Sequence, residues 1–193
     1  MTSENPTLRL VLLRHGESTW NELGLIQGHN DEARLTERGR TQARNAAALL
    51  ASENIDVIFS SDLARAYETA GIVADILGHH VQTTTALRER SLGDLERAPF
   101  AEMTPVFSGV EHGVVVDPLA HPNAGESVED FYRRVAGFLD ELNEERSIER
   151  ALLVTHGGTI RIARAYFSHA PLSGLIWDQV ENCSIWPFDL VRD

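Results

Sequence analysis

At 193 residues the chain has the length of one domain and enough material for a substantial core. Hydrophobic residues make up 42% and charged residues 24%, an ordinary globular balance, and the formal net charge of −12 argues against a broad nucleic-acid or anionic-membrane surface, which needs clustered Lys and Arg. Cys183 is the single cysteine, which removes any intramolecular disulfide and any Cys-rich metal spacing. Met1 to Pro6 is polar and lacks an apolar core of signal-peptide length, and no run approaches membrane-spanning length. A cytoplasmic protein with a single domain over 1–193 is expected, compatible with assembly as a homodimer.

The first element is the apolar run Leu8 to Leu13, broken only by Arg9 and ending in Arg14, His15 and Gly16. Such a run reads as a buried parallel strand followed by a loop. In an open α/β sheet, ligands bind beyond the carboxyl ends of the strands, which is where Arg14 and His15 fall. Gly16 to Asn30 reads as loop, with a short helical turn around Ser18 to Leu23. Thr36 reads as an N-cap, and Ala43, Ala46, Ala47 and Leu50 share one face of the helix it starts. Asp56 to Ser60 is a second short buried strand. Ser61 or Asp62 is expected to cap a helix running to about Leu77, with Leu63, Ala66, Tyr67, Ala70, Val73 and Leu77 on its core face. Arg65 falls in the first turn of that helix, near a strand end. There a guanidinium and a helix N-terminus can both face an anion, and the alternative is a surface arginine paired with Asp62 or Glu68.

Val81 to Thr84 reads as a third strand, leading to Glu89 between Arg88 and Arg90. Ala98 to Pro122 shows no clear period and reads as an irregular excursion, with a short helix near Pro99 to Met103. A helix resumes at Ser127, where Asp130 three residues on makes a near capping box, and its stripe is Phe131, Val135, Phe138 and Leu142. Ala151 to Val154 repeats the pattern of the first strand and ends in Thr155, His156 and Gly157. A helix follows from about Gly158 to Phe167. Ser184 to Leu190 reads as a last strand, at an edge because Pro187 has no N–H to donate. Strands alternating with helices predict a three-layer α/β/α sandwich with a mostly parallel sheet. Two strand-end histidines can then share one crevice, as loop residues, as metal ligands or as a catalytic pair; Arg14 beside them favours the last. No Walker-type or Gly-x-Gly-x-x-Gly loop occurs, and no Gly-x-Ser-x-Gly elbow.

Arg14 to Ser18, with Asn21 beyond, resembles the signature of the histidine phosphatase superfamily, which includes the cofactor-dependent phosphoglycerate mutases. Gln27–Gly28, Leu35 to Ala43, Ser60 to Ala70, Leu87 with Glu89, Gly125 to Ser127 and Thr155 to Gly157 occur in that family's order. The resemblance implies a metal-independent phosphomonoesterase, acting on a small phosphorylated metabolite without a cofactor. His15 would be the nucleophile, its other ring nitrogen held by an acceptor such as a backbone carbonyl near Gly16. Arg14 and Arg65 would neutralise the phosphoryl oxygens, with His156 adding charge if protonated. Ser18, Asn21, Gln27, Gly28 and Gly157 would complete the phosphate cradle.

Glu89 would be the general acid and later the base. That role needs a protonated carboxyl, which a phosphate dianion favours and Arg88 and Arg90 oppose, so their side chains are expected to point elsewhere. Where many phosphatase members carry Gly-x-Trp-Glu-Gly, this chain has Gly93, Asp94, Leu95, Glu96 and Arg97, so Arg97 would either meet an acidic substrate or stand exposed. The alternatives are a phosphoglycerate mutase and a catalytically idle module on the same fold. Trp20, Leu25, Phe100, Met103, Phe107 and Trp177 would line a pocket or, as aromatics and aliphatics more often do, sit in the core.

Overall fold

The computed structural model describes residues 7–102 and 109–192. Five strands form the central sheet: β1 (Thr7–Arg14), β2 (Val57–Ser61), β3 (Val81–Thr84), β6 (Arg150–Thr155) and β7 (Ile185–Val191), in the order β3-β2-β6-β1-β7. All pairings are parallel except β1 with β7. Strand β7 stands at the edge, as Pro187 requires.

Both faces of the sheet are covered, which is why β1 and β6 are apolar throughout. Leu8, Leu10, Leu12, Ala151 and Leu153 face the helices α4 (Val128–Glu144) and α5 (Gly157–Ser168), meeting Phe131, Val135, Leu139, Ile160 and Ala163. Val11, Leu13, Leu152 and Val154 point the other way, against Ala46, Ala47 and Leu50 of α2 (Glu37–Leu50) and Ala70, Val73 and Ala74 of α3 (Ala64–Leu77). At about 25 cal/mol per Å², each fully buried aliphatic side chain contributes roughly 2 kcal/mol.

Three expectations are corrected. First, α3 carries no side-chain cap of its own: its N-cap is Leu63, and the Ala64 N–H donates to Asp31 Oδ1 at 2.6 Å. Ser61 instead accepts from Leu63 N–H, and Asp62 is drawn away by Arg88, whose Nε lies 2.7 Å from Oδ1. A carboxylate from a distant loop can occupy the helix N-terminus as well as a local one. Second, Tyr67 is exposed rather than in the core of α3. Third, the excursion after Ala98 holds among its described residues a hairpin that its lack of period does not show, β4 (Val110–Glu111) with β5 (Val114–Val115), while the short helix expected near Pro99 to Met103 is a turn of 3-10 helix at Phe100–Glu102. Met103 and Phe107 lie outside the described residues. Phe100 is exposed, whereas Trp20 is buried and Trp177 packs against the core.

Candidate active site

Two adjacent parallel strands deliver the two histidines. Arg14 lies opposite Thr155 in the register, and the His15 N–H donates to the Thr155 carbonyl at 2.8 Å. The chain leaves the sheet at the same level on both strands, and the imidazole centroids stand 5.1 Å apart. β1 leads to α2 on one face and β6 to α5 on the other, so the crevice opens where the chain parts. The loop after β1 turns sharply under α2: a Cβ on Gly16 would press on the Gly39 backbone, and Gly16 N–H donates to Thr69 Oγ1 at 3.0 Å.

His15 is 3% exposed, and its Nδ1 lies 2.7 Å from the Gly16 carbonyl. A carbonyl can only accept, so Nδ1 carries the proton and Nε2 keeps its lone pair. Burial, reinforced by the charges of Arg65 and Arg14, pushes the His15 pKa well below its ordinary value. His156 is wholly buried, with Nε2 2.8 Å from Ser61 Oγ, and burial together with Arg65 lowers its pKa in the same way. Held neutral in this way, His156 adds no positive charge beside His15.

Positive charge comes from the arginines. Arg65 is 1% exposed and pairs with neither Asp62 nor Glu68; it donates to the Gly28 carbonyl at 2.8 Å and the Asn30 carbonyl at 3.0 Å. Burial lowers its pKa to about 10, which leaves it charged at neutral pH. Arg14 donates to the Val180 carbonyl. Arg14 Nε, Arg65 Nε and His156 Nδ1 are buried atoms without a hydrogen-bond partner among the described residues. Buried polar groups are rarely left so, because each costs about 1–3 kcal/mol.

The carboxylate of Glu89 accepts from the backbone N–H of Arg90 at 2.8 Å and from that of Gly158, in the first turn of α5, at 2.9 Å. Arg88 turns to Asp62, and Arg90 to the carbonyls of Glu126 and Ala120 at 2.8 and 2.9 Å, so both flanking cations point elsewhere. Ser18 caps the short helix α1 (Thr19–Glu22) and its hydroxyl reaches Gln27 Oε1 at 2.9 Å. Asn21 Oδ1 accepts from Ser18 N–H at 3.1 Å. With their oxygens engaged, Asn21 and Gln27 keep their NH₂ groups for other acceptors. Gly28 has φ +48°, and a Cβ there would strike the Glu96 carboxylate. Arg97 is exposed and paired with Glu32.

Two contributors are not singled out by sequence reasoning. Asn182 Nδ2 donates to the His15 carbonyl at 3.0 Å and lies 3.3 Å from Asn21 Oδ1; nothing local marks it. Arg161 lies one turn after Gly157 on α5, a spacing that places it on the same face. Its guanidinium sits 5.1 Å from the Trp177 ring, and its Nε donates to the Asp178 carbonyl at 2.6 Å. A Cβ on Gly157 would lie 3.4 Å from Arg161 Nη1 and 3.7 Å from Arg14 Nε, so the two cations flank that glycine. Among the described residues no three His, Cys, Asp or Glu side chains converge as a metal site would need, and no helix is long and apolar enough to cross a membrane.

The family model described as histidine phosphatase superfamily (branch 1) matches residues 10–192. The chain belongs to the histidine phosphatase superfamily. Phosphoglycerate mutase-like protein 4 of Arabidopsis thaliana is 36% identical over 94% of this chain and 79% of its own. Among solved structures, mycobacterial glucosyl-3-phosphoglycerate phosphatase in complex with VO3 is 33% identical, with a TM-score of 0.81 over 93% of this chain and 92% of its own. The phosphoserine phosphatase of Entamoeba histolytica in complex with 3-phosphoglyceric acid is 28% identical, with a TM-score of 0.78 over 94% of this chain and 90% of its own.

Two results are expected of this histidine phosphatase chain. His15 and His156 are neutral when folded but take up protons when unfolded, once the pH drops below about 6.5. The unfolded state then binds more protons, so stability falls as pH falls below that value, by up to about 1.4 kcal/mol per pH unit for each histidine. Urea midpoints between pH 7 and pH 5, in phosphate-free buffer, should drop more steeply for the wild type than for a His15→Gln/His156→Gln double variant; equal slopes would contradict the assignment. Gly158→Ala tests the Glu89 contact. The added Cβ would fall on Glu89 Oε1, the movable end of a side chain, so the carboxylate rather than the helix shifts. Turnover should fall by about 10- to 100-fold, with the melting temperature nearly unchanged; an active Gly158→Ala protein would show that this contact does not matter.

Proposed function

We propose that residues 1–193 form one catalytic domain that hydrolyses a phosphomonoester of a small metabolite through a phosphohistidine on His15. One observation carries this reading: buried Arg14 Nε, Arg65 Nε and His156 Nδ1 lack partners among the described residues, beside a neutral imidazole whose Nε2 is unprotonated. A tetrahedral oxyanion answers all three. The bound phosphoryl group would be held by Arg14 and Arg65, by His156 donating from Nδ1 while Nε2 accepts from Ser61, and by the amides of Asn21 and Gln27. Ser18 keeps those amides in place, and the backbone at Gly28 and Gly157 lets the chain come close. Phosphoryl transfer depends mainly on such positioning and charge neutralisation, and single donors are worth roughly 3 kcal/mol.

In the first half-reaction His15 Nε2 attacks phosphorus, the bond from phosphorus to the leaving oxygen breaks, and the Glu89 carboxyl gives that oxygen its proton. In the second, water attacks the phosphohistidine, Glu89 takes the water's proton, and the P–N bond breaks to return neutral His15 and phosphate. Support comes from the relatives: the mycobacterial phosphatase, at 32% identity, is also solved with inorganic phosphate. Phosphate release from a panel of phosphomonoesters, with chelator present, tests the proposal. Release is expected, and the ranking of esters narrows the substrate. Isomerisation of phosphoglycerate without release would replace this reading by a mutase; no reaction of either kind would leave a binding module.

A further inference from the structure

We propose that Arg134, clamped by Glu126, is the positioning residue that sets where the Glu89 carboxyl stands; this rests on the reading of Glu89 as proton donor. Beyond the 3-10 turn Thr85–Leu87, the segment from Arg88 to Ser91 has no regular structure, so its backbone groups must find partners elsewhere. One guanidinium reaches four carbonyls of this stretch and of the turn before it. Arg134, from α4, donates through Nη1 to the carbonyls of Ala86 at 2.9 Å, Arg88 at 3.1 Å and Thr85 at 3.3 Å, and through Nη2 to that of Glu89 at 3.1 Å.

Glu126 holds the fork by two contacts, Nε to Oε1 at 2.9 Å and Nη2 to Oε2 at 2.7 Å. The same Oε2 accepts from Ser91 N–H at 2.9 Å. One ion pair thus grips the chain on both sides of Glu89. His29 Nε2, itself 3.9 Å from Glu126 Oε2, also donates to the Glu89 carbonyl at 2.8 Å, while Thr155 and Thr159 hold the carbonyls of Leu87 and Arg88 at 2.7 and 3.0 Å. With its backbone fixed this way, Glu89 can place one carboxylate oxygen on Gly158 N–H. Arg134 makes no hydrogen bond to Arg14, His15, Arg65 or His156 among the described residues; of the site residues it touches the backbone of Glu89. A lysine cannot replace it, because a single ammonium cannot serve a carboxylate and a row of carbonyls as a planar fork does.

The test compares Arg134→Met with wild type on an aryl and an alkyl phosphomonoester, reading kcat/KM, inhibition by inorganic phosphate, and the melting temperature. A displaced proton donor should cost the alkyl ester about 30-fold and the aryl ester about threefold or less, with phosphate inhibition within about twofold. On a Glu89→Gln background, Arg134→Met should cost the alkyl ester little more, because a residue that acts through another has nothing left to misplace. Glu126→Gln, which keeps volume and loosens the clamp, should show the same pattern more weakly, and stands in if Arg134→Met does not fold. Equal losses on both esters, or full additivity with Glu89→Gln, would overturn the proposal and leave Arg134 a structural brace. A wild type that hydrolyses neither ester would overturn the phosphatase reading, and this proposal with it.

Discussion

His15→Ala is expected to lose turnover by roughly 10⁴-fold or more while the protein stays folded. The loss is large because no neighbour can take over the attack. Phosphorus needs a lone pair, and the arrangement leaves one only where His15 donates Nδ1–H to the Gly16 carbonyl, 2.7 Å away, and so exposes Nε2. His156, the other imidazole, has its Nε2 taken by Ser61. The fold should tolerate the change because His15 carries little of it. Among the described residues its ring makes one hydrogen bond, to the next residue in the chain, and its desolvation beside two guanidiniums disfavours a positive charge on it. An unfolding free energy within about 1.5 kcal/mol of wild type is expected from urea denaturation. Mass spectrometry of protein quenched during turnover should show a phosphorylated wild type and an unmodified variant. Residual turnover above about one hundredth of wild type would require another nucleophile.

What could be read in advance followed from period and punctuation. The runs ending at Arg14 and at Thr155 are apolar on both faces because helices cover both, and a run of that kind stopping at His-Gly places a side chain at the sheet's carboxyl edge. Thr36 and Ser127 were legible as caps because each cap and the N–H it accepts are only three residues apart. The cap of α3 was not, because Asp31 reaches Ala64 across 33 positions of chain. The same limit hid Arg134 and Asn182, whose backbone partners lie 45 or more and 167 residues away. The hairpin β4–β5 is local, closed at His112–Gly113 with both φ angles positive, and its two-residue strands are too short to show a period. Arg65 shows the intermediate case. Its place at a strand-to-helix junction suggested an anion, but only the loop carbonyls of Gly28 and Asn30 explain how a guanidinium stays buried without a carboxylate.

Glu89→Gln should separate the two halves of the reaction. For an alkyl ester, kcat/KM should fall by about 10²- to 10⁴-fold, the usual worth of a positioned acid, whereas for a nitrophenyl ester it should fall by less than about tenfold. The contrast arises in the leaving group: an alkoxide needs a proton as it departs and a nitrophenolate does not. kcat/KM reports only steps up to the first irreversible one, the formation of phosphohistidine, so it isolates the acid role. kcat behaves differently. Water must be activated in the second half whichever alcohol has left, so kcat should fall for both esters once hydrolysis of the phosphohistidine limits the rate. The substitution is not innocent. Arg90 N–H and Gly158 N–H both point at Glu89 oxygens, and an amide can satisfy only one of them with its carbonyl. A displaced glutamine has no acidic proton to misplace, so that lost contact by itself cannot produce a dependence on the leaving group. Equal loss of kcat/KM on both esters would therefore remove Glu89 from the acid role and leave it as a group that only orders the start of α5.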